Sequence, residues 1–266
     1  MKFLKYIPIL ILALLFIGCA PKQEKNQWED VSLKDLMPKG QPESAQKAIV
    51  GLSVFIFEVD SAKYPVVQTA LINESQIPIA YSNEKSFSAN SLVTGGSGIE
   101  GWEKIARSLA DANASVIKRI TLFMDENTSE QIEAAVFPKG TNINYLTDQQ
   151  FSAAMGLPKG VVIFDINVKS LIGLKQVCRL EVNTNYKTFR KKIDDKKLPA
   201  WQYAFDSVDF SLPFRQGQFI IFGPRIENNE KANSNILPTL GEMIFTNSQY
   251  ENRMKFCLIV CGLIKD

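Results

Sequence analysis

The chain has 266 residues, enough to bury a sizeable core in one large or two modest domains. Its composition, with 45% hydrophobic and 22% charged residues, is that of a globular protein and excludes wholesale disorder. Histidine is absent, which excludes Ser-His and Cys-His catalysis, histidine metal ligands and imidazole pH switches.

The first residues have the pattern of a bacterial export signal. Lys2 and Lys5 form a positively charged region, and an apolar run of 13 residues follows from Tyr6 to Gly18. A helix needs about 20 apolar residues to cross a bilayer, so this run is too short for a stable span. The pattern therefore predicts a signal peptide over residues 1–18.

The leader ends in Leu15-Phe16-Ile17-Gly18-Cys19, which resembles the lipobox of bacterial lipoproteins, with Phe16 where leucine is usual. The resemblance implies cleavage before Cys19 and attachment of a diacylglycerol and an acyl chain to that cysteine. Several chains on one cysteine would anchor the protein stably in a membrane. Ala20 follows the cysteine, and in this class of protein that residue favours the outer membrane.

The next stretch, residues 19–47, is polar, with alternating charges and prolines at 21, 38 and 42. This composition predicts a lipidated tether that holds the folded body away from the bilayer. A few large apolar side chains in it could dock on the body or on a partner: Trp28, Leu33, Leu36 and Met37.

Residues 48–150 are predicted to form a small mixed α/β domain. Strands are expected over residues 48–60 and 118–125, which are dense in Val, Ile and Phe. Helices are expected over residues 61–73 and 99–109, where apolar residues recur at helical spacing. Residues 77–92 could add a short strand or two.

One segment of this domain matches a nucleotide-binding pattern. Residues 96–101 satisfy G-x-G-x-x-G and precede a predicted helix, with Asp125 further on. The dinucleotide fingerprint needs a buried apolar strand that feeds the loop, whereas the feed here is short and polar. We therefore predict a flexible loop with a glycine-rich helix start, and no cofactor.

Residues 151–266 are predicted to be a β-rich domain, with a sandwich-like or strongly bent sheet. Residues 160–171, 174–183 and 207–214 alternate apolar and polar side chains, as strands with one wet face do. Residues 216–224 and 255–264 are more evenly apolar, as central strands are. The whole chain is therefore assigned to the α+β class.

The cysteines beyond Cys19 are odd in number, so they cannot form a complete internal disulfide set. Cys257 and Cys261 share one predicted strand and would lie roughly 13 Å apart, too far to bond each other. Cys178 could meet either of them across strands, or all three could be buried free thiols. No CxxC pair is present, which argues against a zinc site.

Three segments, residues 216–223, 237–245 and 255–261, are similar to the end of the conserved C-terminal module of secretins. Secretins are the outer-membrane pore proteins of type II and III secretion and of pilus systems. Their module has a glycine-led apolar strand, a proline-led PxLG segment and a final apolar strand. The resemblance implies a β-module of a secretion or surface assembly. Pro238 and Gly241 are expected to form a turn.

Charged groups were compared with catalytic patterns. Glu100 and Glu103 begin a helix, where acids favour the dipole. Asp206 and Asp209 have an odd spacing in a predicted strand, so they would point to opposite faces. A basic cluster at residues 187–197 is expected to be a solvated hairpin tip or loop. We therefore predict no catalytic, cofactor-binding or metal-binding residue.

These features together predict a non-catalytic envelope lipoprotein that acts as an interaction or structural component of a secretion or surface assembly. Its partners would be the membrane, through Cys19, and an envelope protein; a mature charge near zero argues against nucleic acid. An exposed strand edge would favour this function. The alternative is a tethered binding module for a small molecule or glycan, favoured by exposed aromatics such as Trp201 and Tyr203 beside a cleft.

Overall fold

The computed structural model describes residues 28, 30–40, 50–126, 128–147, 152–171, 174–189, 192–193, 196–197, 202–226, 237–246 and 252–265. The predicted leader and Cys19 lie outside these residues. In the described part the helices are α1 (Leu33–Leu36), α2 (Tyr64–Glu74), α3 (Glu84–Ala89), α4 (Ile99–Asp111) and α5 (Leu240–Phe245). The strands are β1 (Val50–Asp60), β2 (Ala80–Tyr81), β3 (Leu92–Ser97), β4 (Ser115–Met124), β5 (Ser129–Phe137), β6 (Thr141–Leu146), β7 (Ser152–Leu157), β8 (Gly160–Ser170), β9 (Val177–Thr188), β10 (Lys192–Ile193), β11 (Lys196–Lys197), β12 (Gln202–Ala204), β13 (Phe210–Arg215), β14 (Phe219–Pro224) and β15 (Arg253–Ile264).

Two antiparallel sheets form the body. The first has the order β3-β14-β15-β1-β4, and the second has the order β2-β13-β9-β8-β5, with β12 also paired to β9. The second sheet packs on one face of the first, and helices α2 and α4 pack on the other. This arrangement confirms the predicted α+β class.

Strand β15 shows how the sequence builds the two interfaces of the first sheet. Phe256, Leu258 and Val260 face the helices, whereas Cys257 and Ile259 face the second sheet. Both faces of the strand are buried, as the continuous apolar run predicted. The strand lies between β14 and β1, which confirms its predicted central place.

The second sheet follows the period-2 pattern of its sequence. In β8, Val162, Phe164, Ile166 and Val168 are buried in the core between the sheets. The polar residues between them lie on the outer face, which is the wet face.

The two predicted sequence units share a single sheet. Strands β1, β3 and β4 come from residues 48–150, whereas β14 and β15 come from residues 151–266. The pairing β1–β15 joins the start of the body to its end over the full length of both strands. Because such long-range pairing leaves no local mark, the sequence pattern did not indicate it.

Residues 84–89 form helix α3, and the strand expected over residues 77–92 is limited to β2. The side chain of Asn83 accepts a hydrogen bond from the backbone N–H of Ser86 at 2.9 Å, so it caps the helix. The sequence analysis also missed β5, β6 and β7 between residues 129 and 157.

The proline-led segment is a helix start and not the expected turn. Pro238 precedes α5, which begins with a capping box between Thr239 and Glu242. Gly241 lies in the first turn of α5, where its N–H donates to Asn90 O at 2.8 Å. A side chain at this position would overlap the backbone of Ser91, so the close approach requires glycine.

Part of the predicted tether is docked on the body. We call residues 28 and 30–40 the strap. The side chains of Trp28, Leu33 and Leu36 are buried in the cluster that lies between the first sheet and its helices, and Met37 packs against the same cluster. The structure therefore favours docking on the body for these apolar residues.

Candidate functional site

The outer strands of the first sheet differ in how well they are covered. Strand β3 is almost fully buried, and the N–H groups of Gln76 and Ile77 both donate to Gly96 O, at 2.7 and 3.1 Å. On the opposite side, β4 pairs only with β1. Its residues Val116 and Ile117 are 36% and 49% exposed. Strand β4 is therefore the open edge of this sheet.

The second sheet has its own exposed outer strand beside β4. Strand β5 pairs only with β8, and Val136 is 42% exposed. Because β5 follows β4 in the chain, the two outer strands lie on one side of the body. We call this side, formed by β4 and β5, the open edge.

A groove of about 660 Å³ lies along the open edge. Apolar and charged side chains alternate in its lining, and lysines and glutamates balance each other: Ile56, Glu58, Ile117, Lys118, Glu133, Val136 and Lys255. Arg119 lies next to the groove residues on β4, with its guanidinium 5.1 Å from the centre of the Phe55 ring. Exposed apolar side chains beside unpaired strand backbone are suited to a polypeptide in extended conformation.

The sequence indicated only part of this edge. The strand predicted over residues 118–125 begins earlier, at Ser115, so Val116 and Ile117 were not assigned to it. Strand β5 was not predicted. The signal that could have identified it is the alternation of Gln131, Ile132 and Glu133, of which only Ile132 is buried.

The predicted acidic pairs do not form a catalytic centre. Glu100 Oε1 accepts a hydrogen bond from the N–H of Gly98 at 3.2 Å, so it caps helix α4. Glu103 forms an ion pair with Arg107 at 2.9 Å. Both acids therefore have structural partners within the first turns of the helix.

Asp206 and Asp209 do not point to opposite faces of a strand as predicted, because residues Asp206–Val208 form a 3₁₀ turn before β13. Asp209 Oδ1 accepts a hydrogen bond from the N–H of Thr184 at 2.8 Å. Burial raises the pKa of Asp209 to about 7; the Thr184 hydrogen bond opposes the rise, and the negative charges of Asp206 and Asp165 add to it. Asp165 is itself held by Asn185, whose Nδ2 donates at 2.6 Å.

This pKa predicts that Asp209 lowers stability as the pH rises. Its folded-state pKa lies above the unfolded value, so the free energy of unfolding should fall between about pH 4 and pH 7 and then level off. In Asp209→Asn the oxygen that accepts from Thr184 is kept and the charge is lost. We expect the variant to be more stable than the parent by about 1 kcal/mol at pH 8, a value discounted for solvent screening, and no more stable at pH 4.

Urea denaturation at pH 4 and pH 8, followed by circular dichroism, measures this difference. The exposed acid Asp111, replaced by asparagine, serves as the control, since its effect should not change over this range. A stability gain from Asp209→Asn that is equal at both pH values would contradict the assignment.

The cysteines of the body are Cys178, Cys257 and Cys261, and all three are free and buried. Cys178 Sγ donates to Phe214 O at 3.6 Å. Burial raises the pKa of Cys178 to about 12 and also raises the pKa of Cys257 and Cys261. Of the two alternatives drawn from the sequence, the structure supports buried free thiols, which react slowly.

The glycine-rich segment is an ordered strand followed by a helix, and not the flexible loop expected. Residues Leu92–Ser97 form β3, which pairs with β14, and α4 begins at Ile99. The Glu100 carboxylate already occupies the start of that helix. The antiparallel pairing of β3 also differs from the parallel sheet that a dinucleotide fold requires.

The aromatic residues considered for a binding cleft are only partly described. Trp201 lies outside the described residues. Tyr203 is half-buried, with its ring 5.0 Å from that of Phe205 and 6.3 Å from that of Tyr145. Tyr203 therefore belongs to an aromatic cluster that packs on the core.

Other predicted features are tested only within the described residues. Among them, no helix is long and apolar enough to cross a membrane. In the same part of the chain, no cluster of three or more Cys, Asp or Glu side chains could hold a metal ion. Of the basic cluster, Lys192–Ile193 and Lys196–Lys197 pair as a short hairpin, and the remainder lies mostly outside the described residues.

Comparison with known proteins finds no matching family model and no matching curated protein. Among solved structures, the chain is similar to the type IV competence pilus secretin PilQ of V. cholerae, with 10% sequence identity and a TM-score of 0.24. The match covers 82% of this chain and 59% of the secretin chain, so the chain spans little more than half of that protein's length. A TM-score this low does not show a shared fold.

Proposed function

We propose that the protein is a non-catalytic lipoprotein of the bacterial envelope, anchored through Cys19, that docks a protein partner along its open edge. The outer membrane is the favoured location. The observation that carries the proposal is the open edge itself, where Val116, Ile117 and Val136 are exposed beside unpaired strand backbone. The sequence patterns of the leader and of residues 216–261 support an envelope assembly as its setting.

The exposed edge fits a partner that adds an extended segment. Such pairing draws its affinity from backbone hydrogen bonds and its specificity from alternate side chains. Natural edge strands are commonly protected by inward charges, by bulges or by covering elements. In this protein β3 is covered and β4 is not, so the difference between the two edges marks β4 as the docking side.

A photo-crosslinking residue placed at Ile117 or at Val136, in cells that make the full chain, tests the docking surface. We expect both positions to give adducts with the same envelope protein. Ile72 on α2 is a matched control, since it is 55% exposed but lies away from the edge. We expect Ile117→Lys to reduce the adduct formed at Val136 at least fivefold, because a charge on an edge strand opposes pairing.

Two results would contradict the docking function. One is an equal yield of adducts at Ile72 and at Ile117. The other is the absence of edge adducts together with tight binding of a metabolite. The anchor is tested separately by mass spectrometry and membrane fractionation, in which Cys19→Ala should lose both the acyl mass and the membrane association.

A further inference from the structure

The strap begins at one end of the first sheet. Trp28 is 4% exposed, and its Nε1 donates to Ala114 O at 2.6 Å. Its ring lies 4.9 Å from the ring of Phe57. Ala114 directly precedes Ser115, which pairs with Glu58 near the end of β1. We call this end of the sheet, where Asp60 pairs with Arg253, the Asp60 end.

The strap ends at the opposite end of the same sheet. Midway along, Val31 O accepts a hydrogen bond from Trp102 Nε1 at 2.8 Å, and helix α1 buries Leu33 and Leu36. Pro38 then packs so closely on Gly262 that a side chain at that glycine would overlap it. Gly262 lies beside Cys261, whose partner in β1 is Leu52. We call this the Val50 end.

The path of the strap reverses the point at which the chain enters the body. Trp28 is the ninth residue after Cys19, whereas Val50, the first residue of β1, is the thirty-first. With the strap docked, the free leash enters at the Asp60 end. Without it, the chain would enter at the Val50 end, about 20 Å or more away along the strands.

From this path we infer that docking of the strap makes the Asp60 end of the first sheet the surface that faces the lipid bilayer. The inference rests on the proposed anchor at Cys19. A leash of nine residues reaches about 30 Å when fully extended and about 17 Å on average. It holds the Asp60 end near the headgroups and leaves the open edge at the side of the body, accessible to a partner in the envelope.

The charges at the Asp60 end do not provide an alternative means of attachment. Asp60 Oδ1 accepts a hydrogen bond from the N–H of Ala62 at 2.9 Å, and Arg253 lies 4.0 Å from Glu58. Because charges of both signs are paired there, the leash and not headgroup binding should set the orientation. We therefore expect the same orientation on zwitterionic and on anionic vesicles.

Fluorescence quenching of the lipidated full chain in phosphatidylcholine vesicles tests the orientation. A thiol-reactive fluorophore is attached at Ala62→Cys, at the Asp60 end, or at Gln216→Cys, at the Val50 end; both side chains are exposed. The quencher is a nitroxide on a lipid headgroup. We expect at least threefold stronger quenching at position 62 than at position 216, with or without anionic lipid. Equal or reversed quenching would overturn the inference.

The parent chain separates a failed anchor from a failed orientation. Cys178, Cys257 and Cys261 are buried, so the folded parent should take up no label when Cys19 is acylated. Label on Cys19, or protein that does not float with the vesicles, would refute the anchor. Label-free parent on vesicles with equal quenching at positions 62 and 216 would refute only the orientation.

Two variants test the role of the strap. Trp28→Ala should reduce the threefold difference to less than 1.5-fold, whereas Val66→Ala, an exposed change on α2, should leave it intact. A flexible insert of 18 residues between Glu24 and Lys25 leaves the body unchanged and raises the average leash length to about 29 Å. It should weaken quenching at position 62 at least twofold even if Trp28→Ala does not fold. Unchanged quenching with the insert would overturn the inference.

Discussion

Replacement of Trp28 by alanine is expected to lower the free energy of unfolding by about 3 to 4 kcal/mol. The change removes a nearly buried indole and its ring contact with Phe57. It also leaves Ala114 O without the hydrogen bond from Nε1. Urea denaturation followed by circular dichroism measures the loss.

A graded series separates packing from hydrogen bonding at this position. Trp28→Phe keeps most of the apolar contact and loses only the donor, so we expect a cost of about 1 to 1.5 kcal/mol. Val66→Ala, at a side chain that is 45% exposed, should cost less than about 0.5 kcal/mol. A cost of Trp28→Ala as small as that of Val66→Ala would mean that the strap is not docked in solution.

The strap shows where composition misleads. Prolines and alternating charges over residues 19–47 are typical of an extended tether. The docked part depends on widely spaced apolar residues that find partners far away in the chain, such as Trp28 with Ala114. Local pattern could identify these residues as candidates for docking but could not supply the surface that receives them.

Periodicity predicted the core strands because their patterns are local. The alternation of residues 160–171 and the continuous apolar run of residues 255–264 gave the correct elements, and the latter also gave a central position in the sheet. Helix α3 escaped prediction because its six residues are too few to show a helical period, and its start depends on the cap by Asn83.

The open edge could not be predicted, since an edge is a property of strand order. Strands β4 and β15 both carry Val, Ile and Phe, yet one lies outermost and the other in the middle of the same sheet. Only the long-range pairing of β1 with both strands decides which backbone remains exposed. A functional surface made of an edge therefore appears only when the sheet is assembled.

Asn90 joins three parts of the structure and is fully buried. Its Nδ2 donates to Ser86 O at 2.8 Å and to Leu146 O at 2.9 Å, and its Oδ1 accepts from the N–H of Leu146 at 3.1 Å. Its backbone oxygen accepts from the N–H of Gly241. One side chain thus connects α3 and β6 at the point where α5 also docks.

The substitution Asn90→Asp is expected to lower the free energy of unfolding by about 4 kcal/mol or more at pH 7. It places a carboxylate oxygen against two carbonyl oxygens in a buried site, where an unpaired charge is costly. Asn90→Ala should cost about 2 to 3 kcal/mol, because it leaves the partners unpaired without adding a charge. Urea denaturation measures both changes.

The matched control is Asn83→Asp, the same change of side chain in the same helical segment. Aspartate caps a helix as well as asparagine does, so we expect a change within about 0.5 kcal/mol. The introduced carboxyl at position 90 should also have a raised pKa, so the loss in Asn90→Asp should shrink from pH 7 to pH 4.5. A loss that is the same at both pH values, or equal losses for the two variants, would show that Asn90 does not make these buried contacts.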